Sequence, residues 1–138
     1  MADGYVYSMG DGSKGQLGLG KEILGSKAPR PVKSLEQHVI TKISSGECHT
    51  AFISNKGQLL TCGDGRYGKL GHTQKDSIHY SPLIVDKYKD IDVKNMACGG
   101  CHMILVGTVP YKKPTSQKRD PYEESDTDPY YVSFNNNK

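Results

Sequence analysis

One offset, 53 residues, lays the first part of this chain over the second without a gap. Gly4-Tyr-Val-Tyr-Ser-Met-Gly10-Asp-Gly12-Ser-Lys-Gly15-Gln-Leu17-Gly18 falls on Gly57-Gln-Leu-Leu-Thr-Cys-Gly63-Asp-Gly65-Arg-Tyr-Gly68-Lys-Leu70-Gly71, with seven of fifteen positions identical. The same offset pairs Pro29 with Pro82, Val32 with Val85, Gly46 with Gly99, Cys48 with Cys101 and His49 with His102, so residues 4–56 match 57–109 at twelve positions. Most of these are Gly, Pro, Cys or His, which set backbone geometry and local bonding. What recurs is therefore a structural unit, and units of this length bury their faces against copies of themselves.

Within one period the pattern is short strands. Tyr5–Met9 and Gln58–Cys62 are β-prone and stop at glycines. Ile40–Ser44 and His49–Ser54 form a pair joined by the turn Ser45-Gly46-Glu47. Asn55-Lys56-Gly57 is a hairpin turn into the first strand of the next period. A weaker strand surrounds Pro31-Val32 and Pro82–Val85, and proline inside it predicts an edge position. Four short strands in a period of this length predict an all-β chain made of two β-propeller blade repeats, 4–56 and 57–109.

Composition agrees. Of 138 residues 16 are Gly and 7 Pro, against no Trp and two Phe, which favours turns and short strands and excludes a helix bundle or coiled coil. The net charge is +3, with both signs mixed along the chain and no basic patch, so no nucleic-acid partner is expected. The N-terminus lacks the basic and apolar regions of a signal peptide, and the longest apolar run, Met103 to Val109, is too short to span a bilayer. With four cysteines and no secretion signal, the expectation is a soluble intracellular chain with reduced thiols.

Several motifs look like chemistry. Gly10-Asp-Gly12-Ser-Lys-Gly15 fits the G-x-G-x-x-G of a dinucleotide site, but it recurs at Gly63, Gly65 and Gly68, and no helix follows it. Asp11 and Asp64 would also repel a pyrophosphate, so the turn reading is preferred. Gly15-Gln-Leu-Gly-Leu-Gly20-Lys21-Glu22 approaches a phosphate-binding loop but carries Glu22 where a Mg²⁺-binding hydroxyl is needed. Cys98-Gly-Gly-Cys101-His102 has the spacing of covalent haem attachment, yet Cys48-His49 repeats the Cys-His pair and only Cys98 is extra. A zinc site from Cys48, His49, Cys98, Cys101 and His102 would need equivalent positions on adjacent blades to converge. His38, His72 and His79 have no repeat counterpart and are expected at the surface. The expectation is no catalytic residues, no cofactor-binding residues, no metal ligands and no cofactor.

The block Gly-x-Val-Tyr-x-Met-Gly followed by Gly15-Gln16-Leu17-Gly18, Pro31-x-x-x-Leu35 and Ile43-Ser-Ser-Gly46-x-x-His49-x-x-Phe-Ile resembles the regulator of chromosome condensation repeat. It departs from that pattern at Met9 and Cys62, where the family often places Trp. Cys62-Gly-Asp-Gly-Arg66-Tyr-Gly-Lys-Leu70-Gly and Ala97-Cys-Gly-Gly-Cys-His102-Met resemble the last repeats of one member more closely. The resemblance covers residues 4–106 and implies a seven-bladed parent, of which this chain would be a C-terminal fragment. It implies a non-catalytic interaction scaffold at the cilium or basal body, working in protein trafficking and linked to small GTPases. Expected partners are a small GTPase and ciliary transport or scaffold proteins. The alternative it implies is a guanine nucleotide exchange factor for a GTPase of the Ran or Rab type. It also suggests that His49 and His102 are buried hydrogen-bonding residues tying neighbouring strands, which suits the two ring nitrogens of an imidazole.

Position 110 begins Pro-Tyr-Lys-Lys-Pro114, so the repeats end there. Residues 110–138 balance five basic residues against five acidic ones with four prolines, and are expected to be a disordered tail. Ser125 and Thr127 lie among acids, where a solvated tail is preferred over a phosphorylation site. Two repeats leave strand edges open, so the isolated chain is expected to aggregate or stay partly unfolded, and to need further blades or self-association to close.

Overall fold

The structure is a computed structural model describing residues 4–74 and 77–109 and the backbone of Val132 and Ser133. Its strands are β1 (Tyr7–Asp11), β2 (Gly25–Pro31), β3 (Ile40–Ser45), β4 (His49–Ser54), β5 (Leu59–Asp64), β6 (Ile78–Ile84), β7 (Asp92–Cys98), β8 (Met103–Thr108) and β9 (Val132–Ser133). Only single 3-10 turns, Lys33–Leu35, Arg66–Gly68 and Asp86–Tyr88, interrupt them. The expected tail lies outside the described residues, apart from the two-residue β9.

The strands fall into three sheets, β1-β2, β3-β4-β5-β6 and β7-β8-β9. All neighbours pair antiparallel except β8 and β9, which run parallel. Each period supplies four strands, as the sequence predicts, but one period does not make one sheet. The hairpin at Asn55-Lys56-Gly57 keeps β4 and β5 side by side, closed by Ser54 N–H to Gln58 O at 3.0 Å. The sheets are therefore offset by half a repeat: the central one is a complete blade taking two strands from each period. The flanking sheets are halves, with β1-β2 equivalent to β5-β6, and β7-β8 equivalent to β3-β4. The proline-bearing β2 and β6 are edge strands, as expected from the missing N–H.

Two cores lie on either side of the central blade. Phe52, Leu60 and Cys62 meet Val6, Val32, Leu35 and Ile40 on one face. Ala51, Ile53 and Leu59 meet Val85, Tyr88, Val93 and Leu105 on the other. Strand alternation divides β4 and β5 between the two, so every residue of both strands is buried. The 3-10 turns repeat the same device at both cores: Val32 N–H reaches Val6 O and Leu35 N–H reaches Val32 O, while Val85 N–H reaches Leu59 O and Tyr88 N–H reaches Val85 O, at 2.9–3.0 Å. Each turn folds one large side chain, Leu35 or Tyr88, into its core.

Candidate functional site

The glycine-rich segments after β1 and β5 are the most distinctive loops, and each is braced by an aspartate that bonds within its own loop, Asp11 exposed and Asp64 buried. Asp11 accepts the Ser13 N–H at 3.0 Å through one carboxylate oxygen and the Ser13 hydroxyl at 3.0 Å through the other, and the two bonds hold its carboxyl below the usual range. Asp64 does the same for Arg66, accepting its N–H at 3.2 Å and its Nε–H at 2.7 Å. Asp64 is buried, which alone would raise its pKa, but the Arg66 bonds and the Lys69 charge outweigh that and lower it. Lys69, its side chain 2% exposed, lies with Nζ 3.4 Å from Asp64 and donates to Arg66 O at 3.1 Å.

The loop N–H groups are also engaged. Gly15 donates to Gly12 O, Gly18 to Gly15 O, Gly68 to Gly65 O and Gly71 to Gly68 O, at 2.9–3.1 Å. A phosphate cradle needs such groups aimed outward at the ligand. Here they close successive turns, and the Asp11 and Asp64 carboxylates accept from the residues two positions on. The loops instead fasten sheet to sheet: Thr50 Oγ1 on β4 donates to Gln16 O at 2.7 Å, and Gly20 N–H to Tyr80 O at 3.0 Å. Ser8 on β1 donates to Leu17 O and Thr61 on β5 to Leu70 O, both at 2.8 Å and both at equivalent positions.

The Cys-His pairs also work between blades, though unequally. His49 is fully buried, and its Nε2 stands 3.3 Å from His102 O on the next sheet, as expected of a strand-tying imidazole. Burial holds it below the usual imidazole range, and its Nδ1 has no partner. His102 departs from the expectation. It is exposed: β9 reaches only Val106 and Gly107, and no further described sheet packs over His102 as β7-β8 packs against His49. Both rings lie against the glycine three residues back, and a methyl group on Gly46 or Gly99 would collide with them. Cys98 donates its thiol to Ser44 O at 3.3 Å and its N–H to Ser44 Oγ at 2.9 Å, whereas Cys101 is exposed. The C-x-x-C-H run is thus divided between a blade contact and an outer edge. Among the described residues no three His, Cys, Asp or Glu side chains are grouped as a metal would need.

His72 and His79 correct the surface expectation: both are half-buried. Their rings stack with centroids 4.6 Å apart, His72 Nε2 meeting the Thr61 hydroxyl at 3.0 Å and His79 Nε2 the Ser77 hydroxyl at 2.9 Å. His38 is half-buried as well. With Leu60, Pro82, Ile84 and Asp86 the stacked pair lines an open groove of about 530 Å³. On the loop after β5 Tyr67 is 71% exposed, at φ 65° beside the Lys69 ammonium. Neither the stacked pair nor the burial of Lys69 was legible, since neither recurs at the 53-residue offset.

The blade topology, the half-repeat offset and the recurring Gly-x-x-His contacts define a propeller built from tandem repeats. The profile of the regulator of chromosome condensation (RCC1) repeat matches residues 3–53 and 56–106, and the chain belongs to that family. It is 39% identical over 106 residues to the X-linked retinitis pigmentosa GTPase regulator of Homo sapiens, covering 76% of this chain and 10% of that protein. The crystal structure of human WBSCR16 superimposes with a TM-score of 0.68 at 24% identity, over 75% of this chain and 26% of that one. Prp20p of Saccharomyces cerevisiae, a protein with binding properties to Gsp1p and histones, superimposes with a TM-score of 0.63 at 18% identity, over 71% of this chain and 25% of that one. The chain thus spans about a tenth of the length of the retinitis pigmentosa regulators it matches. No described helix is long and apolar enough to cross a membrane.

Proposed function

We propose that this chain is part of a propeller that regulates small GTPases as a non-catalytic interaction scaffold, in protein trafficking at the cilium or basal body. The observation that carries the reading is the 39% identity, across both repeats, to a protein named as a GTPase regulator. The loop chemistry is consistent with it. With the Asp11 and Asp64 carboxylates and the glycine N–H groups consumed inside the loops, the outward features are side chains such as Tyr67 and Arg66, which suit a protein surface better than a small anion.

The test is binding of a panel of small GTPases, in GDP and GTP forms, to the chain and to its Tyr67→Ala variant, with labelled GDP release followed in parallel. The scaffold reading expects nucleotide-dependent binding, weakened in the variant, with unchanged GDP release. Accelerated release would favour the exchange-factor reading, which the same resemblance supports. Absence of binding to every GTPase would end both.

A further inference from the structure

The two half-sheets are complementary halves of one blade. In the central blade β4 pairs with β5 in the register His49↔Gly63, Thr50↔Cys62, Ala51↔Thr61, Phe52↔Leu60 and Ile53↔Leu59. The equivalent of β4 is β8 and the equivalent of β5 is β1, and these lie at opposite ends of the molecule. β1 has β2 on one edge and no described strand on the other. β8 has β7 on one edge, and on the other only the two-residue β9 alongside Val106 and Gly107.

We propose that the free edge of β8 takes the free edge of β1 from a second copy, completing a four-stranded blade in the order β7-β8-β1-β2. The 53-residue offset sets the register: His102 opposite Gly10, Met103 opposite Met9, Ile104 opposite Ser8 and Leu105 opposite Tyr7. Three observations support it. First, the apolar side chains exposed at the ends are the equivalents of those buried in the middle. Tyr7 and Met9 are 61% and 59% exposed where Leu60 and Cys62 are 2% and 0% exposed. Ile104 is 53% exposed where Ala51 is fully buried. Second, the faces agree. Leu60 and Cys62 pack in the same core as Phe52, whose equivalent Leu105 already lies in the second core, so Tyr7 and Met9 of the incoming copy extend that core. Third, Gly10 is shaped for a strand it does not have. Its φ of 112° matches the 114° of Gly63, where a methyl group would run into Cys48 O and come within 2.6 Å of His49 Cα; around Gly10 nothing lies within 4 Å.

The association is head-to-tail, so each copy uses one face and leaves the other for the next. β9 occupies part of the same edge and competes with the second copy. Sedimentation of the full 138-residue chain, and of one ending at residue 129, tests the proposal with two charge variants at exposed positions, Tyr7→Asp and Ile104→Asp. The expected result is a mass rising with concentration through multiples of 15.1 kDa, more readily without residues 130–138. Each variant alone stays at monomer mass with an unchanged β-sheet circular dichroism spectrum. An equimolar mixture gives a species of twice that mass and nothing larger, because one intact β8 meets one intact β1. A monomer at every concentration with and without residues 130–138, assembly of either variant alone, or a mixture that stays monomeric would overturn it.

Discussion

The central blade and the two half-sheets are built from equivalent residues and end in opposite states. Leu60 on β5 is sealed between two sheets, whereas Tyr7, at the same place in the preceding period, stands in solvent. Backbone geometry is shared: the glycine torsions and the strand-to-loop hydroxyl bonds recur. The difference is the neighbour. In a tandem-repeat fold a side chain's environment belongs to the interface between units, so stability concentrates where a unit is flanked on both sides.

The largest expected contrast is between Phe52→Ala and Tyr7→Ala. Phe52 is buried against both Val6 and Leu60, and its removal should cost about 3–5 kcal/mol in urea unfolding. Tyr7→Ala at the exposed edge should stay within about 0.5 kcal/mol under monomeric conditions. Equal costs would erase the distinction between middle and ends.

Gly63→Ala against Gly10→Ala sharpens the same comparison. Both suffer the penalty of positive φ, but only Gly63 has the Cys48 carbonyl and His49 backbone packed over it. Gly63→Ala should be the more destabilising by roughly 1–3 kcal/mol, the range for overpacking, read from the difference in urea midpoints. Thr50→Val comes next. It leaves Gln16 O without its 2.7 Å hydroxyl donor and should cost about 1 kcal/mol. Met103 stands at the equivalent position and has no hydroxyl to give, so Met103→Val should leave that bonding unchanged.

The smallest expected effect is on pH. Burial, with smaller contributions from Lys69 and His102 against the His102 carbonyl and Asp64, lowers His49; burial and His79 lower His72. The unfolded chain therefore binds protons more readily than the native one. The stability these two histidines contribute is full above about pH 6.5, the unperturbed imidazole value, and declines as pH falls from there to their lowered native values. Asp64, also lowered, keeps its contribution until pH falls below the ordinary carboxylate value of 3.8 and through its native one. Thermal melting followed from pH 8 to pH 5 should show the first decline, and His49→Gln should flatten it.

The strand content, the edge placement of β2 and β6 and the hairpin at Gly57 were legible because proline, glycine and alternation act locally. The offset of the blade from the repeat was not, since periodicity fixes the length of a unit without saying where one sheet stops. The role of Asp11 and Asp64 as loop anchors escaped for a related reason. The turn reading of these segments does not say which N–H an aspartate after a strand-ending glycine accepts, and that partner emerges only from the folded loop. The strand-tying place of His49 follows from the family resemblance, whereas the contact between His72 and His79 has no periodic signal.

Residue-resolved amide hydrogen exchange at two protein concentrations tests the central claim, that β4 and β5 are the middle strands of a blade sealed on both faces. The account predicts slowest exchange in β4 and β5 and fast exchange along the outer edges of β1 and β8 in dilute solution, with protection spreading to both edges as concentration rises. Protection in β1 and β8 equal to that of β4 and β5 in dilute solution would contradict it.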